Sequence, residues 1–362
     1  MLSSAHGPFD DRIFFKEART LSMIGYEVKY IVPAEKNRIR DGVQIISVGE
    51  TLSRLKRMIV LPFKIFTKAL AEQCHVCHFH DPELIPVGLF LKVLGKKVIY
   101  DAHEDVAGQI EDKPWIKVHW LRKLIAGIVT YTEKVSSFIF DAVIAATPFI
   151  AHKFPSKKTH VVRNLVILEL VDKAKPVNLS KQKEHVVIYA GGLSRIRGIK
   201  ELISAMELLD DSELWLLGNW QDSYFFEQCK SMPGWKNTRY LGAVNMDEVY
   251  SYLKKADLGI VLLYPNPNYL KSLPVKAFEY MAAGLPMVMS DFPFWRELFG
   301  RSALFADPFS PKDIASKIAR ILNDEELYAS LSSAGRYMVE KEFNWERESQ
   351  KLIGLYQKIS KS

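Results

Sequence analysis

Short apolar runs alternate with longer segments of helical periodicity along most of the chain, and this alternation constrains the fold more than any other feature. The predicted strands of the first half are Met1–Ala5, Val28–Val32, Val43–Val48, Val76–His80, Lys97–Asp101, Ala142–Ala146 and His160–Val162. Those of the second half are Val186–Tyr189, Glu213–Leu217, Thr238–Leu241, Leu258–Leu263 and Pro286–Met289. Strands that alternate with helices form parallel sheets covered by those helices. The sequence therefore predicts an α/β protein.

The length and one irregular segment divide the chain into two predicted domains. A chain of 362 residues is long enough for two domains that each bury a core. Between residues 164 and 185 the periodicity gives way to polar residues and a proline, which is typical of a linker. We therefore predict one domain at residues 1–170 and a second at residues 171–342.

The cysteines and the N-terminal residues bear on the compartment. Three cysteines, Cys74, Cys77 and Cys229, are too few for a disulfide framework and fit a reducing environment. Residues 1–11 lack the basic and apolar regions of a signal peptide, and no uncharged run reaches the ~18 residues of a spanning helix. We therefore expect a cytoplasmic location.

The net charge of +7 comes almost entirely from the first half of the chain. Residues 1–170 contain 24 basic and 18 acidic side chains, whereas the basic and acidic side chains of the second half nearly balance. Such an excess suggests an anionic partner, which charge alone leaves open as a membrane surface, a phosphorylated substrate or nucleic acid. Aromatic residues interleaved on a basic face would indicate nucleic acid, and that pattern is absent from the sequence.

The segment Leu273–Asp291, LPVKAFEYMAAGLPMVMSD, is the strongest candidate for a ligand site. Pro274 marks the start of a helix, Glu279 lies inside it and Gly284 ends it. The unpaired amides and positive dipole of a helix start suit a diphosphate, and Lys276 in the first turn would add a full charge. The alternative is a solvated lysine and a surface glutamate on a connecting helix.

The segment Val186–Ala205 leads from an apolar strand into Gly191–Gly192, followed by Arg195 and Arg197 and then by an amphipathic helix. Glycines let the backbone approach a phosphate, and fixed arginines neutralise the charge of the phosphate. The spacing is neither that of the dinucleotide-binding fingerprint nor that of a P-loop. By itself the glycine pair is weak evidence for a site.

His103 lies in the sequence YDAHED directly after a predicted strand, where residues of a parallel sheet face the ligand crevice. It is a candidate for a polar contact to a sugar or for an acid–base group. The alternative is a structural histidine.

The cysteine and histidine residues at positions 74–80 resemble haem-attachment and zinc-binding motifs. Cys74, Cys77 and His78 match a haem attachment pattern, and the addition of His80 resembles a zinc cluster. Haem attachment implies export, and a second pair of zinc ligands is not apparent in the sequence. The chain also lacks the D-x-D motif that would hold Mg²⁺ or Mn²⁺ on a sugar nucleotide. We therefore predict no metal.

The sequence pattern of residues 52–70 predicts a basic amphipathic helix. Leu52, Leu55, Ile59, Phe63, Phe66 and Leu70 recur on one stripe, and Arg54, Arg57, Lys64 and Lys68 lie on the opposite face. Pro62 should kink the helix. The segment is either a surface helix whose stripe packs on the core or a helix that docks on anionic lipid.

In this order, the motifs resemble those of the retaining family 4 glycosyltransferases of the GT-B fold, as in bacterial polysaccharide synthesis. The resemblance is carried by residues 4–33, 80–88, 100–105, 161–165, 189–199, 273–291 and 343–359. It implies two Rossmann-like domains whose parallel sheets face a central cleft. It also implies that a last helix at residues 343–362 crosses back onto the first domain.

The resemblance assigns roles to individual residues. Glu279 would bind the ribose hydroxyls of the donor, and Arg197 would take the place of the phosphate-binding lysine of the family. His103 would lie beside the donor sugar, and Gly7 would lie in the first loop near the diphosphate.

The sequence departs from the family at two positions. Gly192 replaces the usual arginine after the strand glycine, and Arg195 is the candidate substitute. The family has paired glutamates eight positions apart, but Lys271 stands where the first would precede Glu279.

These observations predict a cytoplasmic, metal-independent hexosyltransferase at the inner membrane face. It would move a sugar from a nucleotide-diphospho-sugar to a lipid-linked or polysaccharide acceptor, with no cofactor. Arg195, Arg197 and Lys276 would stabilise the leaving diphosphate, and no side chain stands out as a nucleophile, so the acceptor would attack from the front face. Alternatives are an epimerase-like enzyme on the same scaffold and a non-catalytic, membrane-associated binder of nucleotide-sugars.

Overall fold

A computed structural model describes residues 1–50, 54–111 and 118–361. The chain forms two compact units, of which unit 1 comprises Met1–Asn164 with Glu346–Ser362 and unit 2 comprises Leu165–Trp345. The boundary lies a few residues before residue 170, because Leu165 and Val166 are buried in the core of unit 2.

Unit 1 is built on a mostly parallel sheet. Its strands are β1 (Val28–Val32), β2 (Arg38–Arg40), β3 (Val43–Ser47), β4 (Val76–Phe79), β5 (Lys97–Ala102), β6 (Ala142–Ala145) and β7 (Thr159–Val161). They form one group in the order β1-β3-β2 and a second in the order β4-β5-β6-β7. Leu2 pairs in parallel with both Ile31 and Phe79 and so links the two groups. The predicted strand Met1–Ala5 is reduced to this bridge, and the antiparallel β2 was not predicted.

The helices of unit 1 include an unusual first segment, the π-helix Asp11–Ala18. The Asp10 side chain caps it by accepting hydrogen bonds from the amides of Arg12 and Ile13, each at 2.9 Å. The remaining helices are α1 (Arg19–Met23), α2 (Arg54–Ala71), α3 (Ile85–Val93), α4 (Val106–Glu111), α5 (His119–Ser137) and α6 (Pro148–Ala151).

Helix α2 packs through a different stripe from the predicted one. Leu61, Ile65 and Ala69 are buried, whereas Ile59 and Phe63 are 72% and 68% exposed. The core-packing interpretation is therefore wrong for these two residues, because the core side of the helix is rotated away from them. Pro62 lies inside a continuous helix. Leu52 and the side chains of Arg54, Leu55 and Arg57 lie outside the described residues.

Unit 2 contains a six-stranded sheet in which every neighbouring pair is parallel. Its strands are β8 (His185–Ala190), β9 (Ser212–Leu217), β10 (Thr238–Gly242), β11 (Leu258–Val261), β12 (Met287–Ser290) and β13 (Ala303–Ala306), in the order β10-β9-β8-β11-β12-β13. Its helices are α7 (Leu168–Lys173), α8 (Ile199–Met206), α9 (Ser223–Lys230), α10 (Met246–Leu253), α11 (Val275–Ala282), α12 (Pro293–Phe299), α13 (Pro311–Leu322) and α14 (Glu325–Lys341). Strand β13 was not predicted. The predicted α/β class with parallel sheets is confirmed.

The last helix, α15 (Trp345–Ser360), belongs to unit 1 except for its first residue. Glu348 accepts a hydrogen bond from the Arg163 amide at 2.8 Å, and the Tyr356 hydroxyl lies 2.9 Å from His78 Nδ1. Among the described helices, none combines the length and the apolar character that crossing a membrane requires.

Candidate active site

The Gly191–Gly192 turn follows β8 at the point where the strand order of unit 2 reverses. The chain runs from β8 to β9 and β10 on one side and then crosses back to β11 on the other side of β8, and ligands of such sheets bind outside the carboxyl ends at this position. Gly191 has a φ of +138°, and a Cβ there would lie 2.8 Å from Lys276 Nζ. Gly218 approaches from the end of β9, where a Cβ would lie 1.9 Å from the Gly191 carbonyl oxygen. Both positions therefore require glycine.

Two cationic side chains converge on this turn. Arg197 ends the short 3-10 helix Arg195–Arg197, and its Nη1 donates a hydrogen bond to the Gly192 carbonyl at 3.2 Å. Lys276 lies in the first turn of α11, and burial lowers its pKa, with the charge of Arg197 acting in the same direction. Like charges this close repel each other, so an anion bound beside the turn would be stabilised by both.

Tyr189 is a member of this group that the sequence analysis missed. Lys276 Nζ lies 4.0 Å from the centre of its ring, and its hydroxyl donates to the Gly192 carbonyl at 3.1 Å. Burial acts to raise the pKa of Tyr189, but the charges of Lys276 and Arg197 outweigh burial and lower it. In the sequence, Tyr189 reads as one more core residue of an apolar strand. Its position just before the glycine turn was the only sequence signal that it belongs to the site.

Helix α11 positions Lys276 and Glu279 one turn apart. Pro274 precedes the helix with extended backbone, and its carbonyl accepts a hydrogen bond from the Ala277 amide at 3.0 Å. The half-buried Glu279 carboxylate interacts electrostatically with Lys276. Lys271 ends the 3-10 helix Tyr269–Lys271.

Arg195 is directed to a different place from Arg197. Its guanidinium lies 3.3 Å from the Asp222 carboxylate and 2.9 Å from Gln228 Oε1, and it stacks over the Phe225 ring at 4.4 Å. These contacts hold it against α9 and the residue that caps α9. The structure therefore does not bring Arg195 into the group formed by Arg197 and Lys276.

His103 lies in unit 1, just after β5, and pairs with a histidine that was not predicted. Its Nε2 is 3.1 Å from His6 Nε2, and His6 Nδ1 is 2.9 Å from the Asp10 carboxylate. Burial acts to lower the pKa of His6, but the hydrogen bond to Asp10 and the charges of Asp81 and Asp10 raise it to about 9. The raised pKa favours the protonated form of His6, and the 3.1 Å separation is that of a hydrogen bond between the two rings.

Gly7 lies next to His6, and its carbonyl accepts a hydrogen bond from the Tyr30 hydroxyl at 3.3 Å. A Cβ at Gly7 would meet no other atom within 4 Å, so sterics alone do not require glycine there.

A second polar group lies beneath the histidine pair. Glu17, His78, His80 and Asp101 are buried, and each offers a ligand atom within 4.8 Å of the others, so together they could hold a metal ion. His78 and His80, which were singled out as part of an apparent metal motif, are in this group, whereas Cys77 is buried with the apolar core of unit 1.

Arg12 supplies the counter-charge of this group. It donates to the Asp101 carboxylate from Nε at 3.2 Å and from Nη2 at 2.8 Å, and its Nε lies 3.0 Å from Glu17 Oε1. Burial and the charge of Asp101 raise the pKa of Glu17 well above its usual range. Burial acts to raise the pKa of Asp101 as well, but Arg12 lowers it. Burial also lowers the pKa of His78 and His80, which favours their neutral forms.

Solved structures with similar folds extend over both units. The chain is similar to sucrose-phosphate synthase from Thermosynechococcus elongatus, with a TM-score of 0.74 and 20% identity over 94% of this chain and 91% of that one. It is also similar to the Anabaena protein HepE in complex with UDP and glucose, with a TM-score of 0.74 and 14% identity over 98% of each chain. At this level of identity the likeness shows the fold.

Sequence relatives match a smaller part of the chain. An uncharacterised glycosyltransferase of Methanocaldococcus jannaschii is 23% identical over 64% of this chain and 63% of its own length. O-antigen chain mannosyltransferase B of Escherichia coli is 28% identical over 47% of this chain and 45% of its own length. The chain thus spans about half the length of the curated relatives that it matches.

A family model matches the part of the chain that contains the glycine turn, Arg197, Lys276 and Glu279. Residues 171–338 match the family described as glycosyl transferases group 1. The chain therefore has the GT-B fold, and its second unit is similar to the group 1 glycosyl transferases.

Proposed function

We propose that the protein is a retaining glycosyltransferase that moves a sugar from a nucleotide-diphospho-sugar to a lipid-linked or polysaccharide acceptor. The observation that carries this proposal is the convergence of Arg197 and Lys276 on the Gly191–Gly192 turn. Fixed cations beside a glycine turn suit a diphosphate, whose negative charge increases as the sugar departs. The complex of HepE with UDP and glucose and the role named for the E. coli mannosyltransferase support this choice of donor and acceptor.

In the proposed reaction the bond between the sugar C1 and the diphosphate oxygen breaks as C1 bonds to the acceptor oxygen. Arg197 and Lys276 stabilise the charge that develops on the leaving oxygen. The acceptor attacks from the face that the diphosphate leaves, and the acceptor proton passes to the departing phosphate. Retention of configuration follows without a covalent enzyme intermediate.

Other residues orient the donor in this proposal. Glu279 accepts hydrogen bonds from the ribose hydroxyls, and the helix start after Pro274 faces the phosphates. In unit 1, His103 contacts the donor sugar, and Gly7 lies near the diphosphate. The hydrogen bond to His6 fixes the orientation of the His103 ring.

The proposed reaction needs no metal, because the two cations and the helix amides supply the positive charge. We further propose a cytoplasmic protein that docks on the inner membrane face, with the basic face of residues 52–70 toward anionic lipid.

Calorimetric titration with UDP, GDP and CMP tests the proposal most directly. We expect one nucleotide to bind, and we expect Arg197→Gln and Lys276→Met each to weaken it by roughly ten- to a hundredfold, as for a lost charged hydrogen bond. Arg195→Gln is the matched control, since Asp222 and Gln228 already hold that guanidinium. Unchanged binding in both Arg197→Gln and Lys276→Met would refute the donor site.

A donor screen with the preferred nucleotide then separates the proposal from its alternatives. A transferase releases nucleoside diphosphate in step with glycosylation of an acceptor. An epimerase converts the donor without an acceptor, and a non-catalytic binder retains the donor unchanged.

A further inference from the structure

Helix α5 has five large apolar side chains on the outside, whereas Leu121, Ile125 and Val129 are half-buried. Toward unit 1 it buries small or polar side chains, namely Ala126, Glu133, Ser136 and Ser137. Its exposed side carries large apolar residues at intervals of three and four, namely Trp120, Leu124, Ile128, Tyr131 and Val135. Trp120 is 67% exposed and Tyr131 is 70% exposed. Ordinary surface helices have the opposite distribution, so this stripe is suited to an apolar or interfacial contact.

Two further helices extend the stripe on the same face of the sheet. The chain passes from β3 to β4, then to β5 and β6, always in the same direction across parallel strands. Right-handed crossovers therefore place α2, α3 and α5 on one face. Helix α3 packs against both α2 and α5, and the Phe66 and Phe90 rings lie 6.0 Å apart.

Helices α2 and α3 are also apolar on the outside. Phe63 on α2 and Phe90 on α3 are more than 60% exposed, and Val93 at the end of α3 is 84% exposed. The docking face is defined here as the exposed side chains of α2, α3 and α5.

The charged side chains of the docking face are positive. The sequences of α2, α3 and α5 contain a single acid, Glu133, which is buried and accepts a hydrogen bond from the Tyr100 hydroxyl at 2.5 Å. Lys64 and Lys68 on α2 and Lys123 and Lys134 on α5 are exposed beside the apolar residues. The face therefore combines apolar side chains, interfacial aromatic residues and positive charge.

We propose that the docking face inserts its apolar side chains into the surface of an anionic lipid bilayer. Trp and Tyr favour the headgroup region, and lysines beside them are attracted to acidic lipid. A second copy of the chain fits less well, since a two-fold contact through this face would bring its lysines together. The inference extends the proposed docking of residues 52–70 to α3 and α5 and makes the contact apolar as well as electrostatic. It does not depend on the transfer reaction.

Vesicle co-sedimentation of the full chain tests this proposal, with vesicles of equal parts phosphatidylglycerol and phosphatidylcholine. The test variant is Leu124→Glu with Ile128→Glu, two exposed positions where the fold should survive. We expect its association to fall by about a hundredfold. The matched control is Leu208→Glu with Tyr337→Glu, which changes two exposed apolar residues of unit 2 and should bind like the wild type.

Added salt and a sizing measurement complete the test. High salt should weaken wild-type binding without abolishing it, because insertion of apolar side chains is not screened. Equal sedimentation of the test variant and the wild type would overturn the proposal. The proposal would also be overturned if the wild type did not bind vesicles but formed a concentration-dependent dimer, and if the test variant stayed monomeric. That result would assign the docking face to contact with a second copy of the chain. Nucleotide titration of the same variants shows whether the donor site is intact, so a failure here is distinct from a failure of the proposed function.

Discussion

Asp101→Asn should destabilise the fold far more than Glu17→Gln, although both replace a buried carboxylate by an amide in the same group. Arg12 donates two hydrogen bonds to Asp101, at 3.2 and 2.8 Å, and both side chains are buried. Asp101→Asn leaves the guanidinium without an ionised partner, and breaking a buried pair costs about 3–5 kcal/mol of unfolding free energy. The raised pKa of Glu17 favours its protonated form in the folded state, and an amide of the same shape resembles that neutral form. We expect Glu17→Gln to change stability by less than about 1 kcal/mol at pH 6.

The pH dependence of Glu17→Gln gives a second, independent check. The pKa of Glu17 is raised in the folded state, so above the unfolded pKa, about 4.3, the folded chain binds one proton more than the unfolded chain. The stabilising effect of that proton is complete below this pH and is lost as the pH rises toward the folded pKa. The wild type should therefore lose stability relative to Glu17→Gln by about 1.4 kcal/mol per pH unit in this window.

Urea denaturation at several pH values measures both effects, and hydrogen exchange at β4 and β5 assigns the transition to unit 1. A loss of several kcal/mol in Glu17→Gln at pH 6 would show that Glu17 is an ionised partner of Arg12. One divalent metal ion per purified chain, lost in Glu17→Gln, would show that the group is a metal site. Either result would refute the reasoning.

The remaining predictions concern the two proposed sites. Glu279→Gln should weaken binding of the preferred nucleotide by roughly ten- to a hundredfold in calorimetry, with an unchanged melting temperature; an unchanged constant would remove Glu279 from the site. Donor turnover should persist in excess EDTA, whereas a strict need for added Mg²⁺ or Mn²⁺ would reveal carboxylate ligands for the diphosphate. Because the pKa of His6 is raised to about 9, its contribution to stability should be complete below pH 6.5 and lost between pH 6.5 and 9. Denaturation of His6→Asn over this range should show a flatter pH dependence, and an equal slope would contradict the protonated pair. Reversal of Lys64 and Lys68 to glutamate should reduce sedimentation with anionic vesicles at low salt, and equal sedimentation would exclude an electrostatic contribution from residues 52–70.

Local patterns predicted most of the secondary structure because each predicted strand is a short apolar run bounded by turn residues. The exceptions have physical causes. Residues 38–40 form β2 although Arg38 and Arg40 carry charge, because the strand lies at the edge of the sheet and, among the described strands, pairs with β3 alone. Met1–Ala5 is apolar enough for a strand, but its pairing with β1 and β4 is limited to bridges centred on Leu2.

The residue types of the donor site could be predicted from sequence because glycine turns and helix starts leave local signals. Their arrangement depends on long-range packing. Arg195 and Arg197 are two positions apart, and only the position of α9 decides that Arg195 turns to Asp222 while Arg197 turns to Gly192. His6 and His103 are equally inaccessible to sequence reasoning, since their contact joins two loops 97 positions apart.

The sequence by itself determined the α/β class, because the alternation of apolar periods is a local property of the chain. Only the tertiary structure decided which side of each amphipathic segment faces the core. On α2, Leu61 and Ile65 are buried and Phe63 is exposed. On α5, the buried side chains are small or polar, and Trp120 and Tyr131 are exposed. Periodicity shows that a helix has two faces. Which face is buried depends on the shape of the sheet on which the helix packs, and that shape is formed by strands distant in sequence.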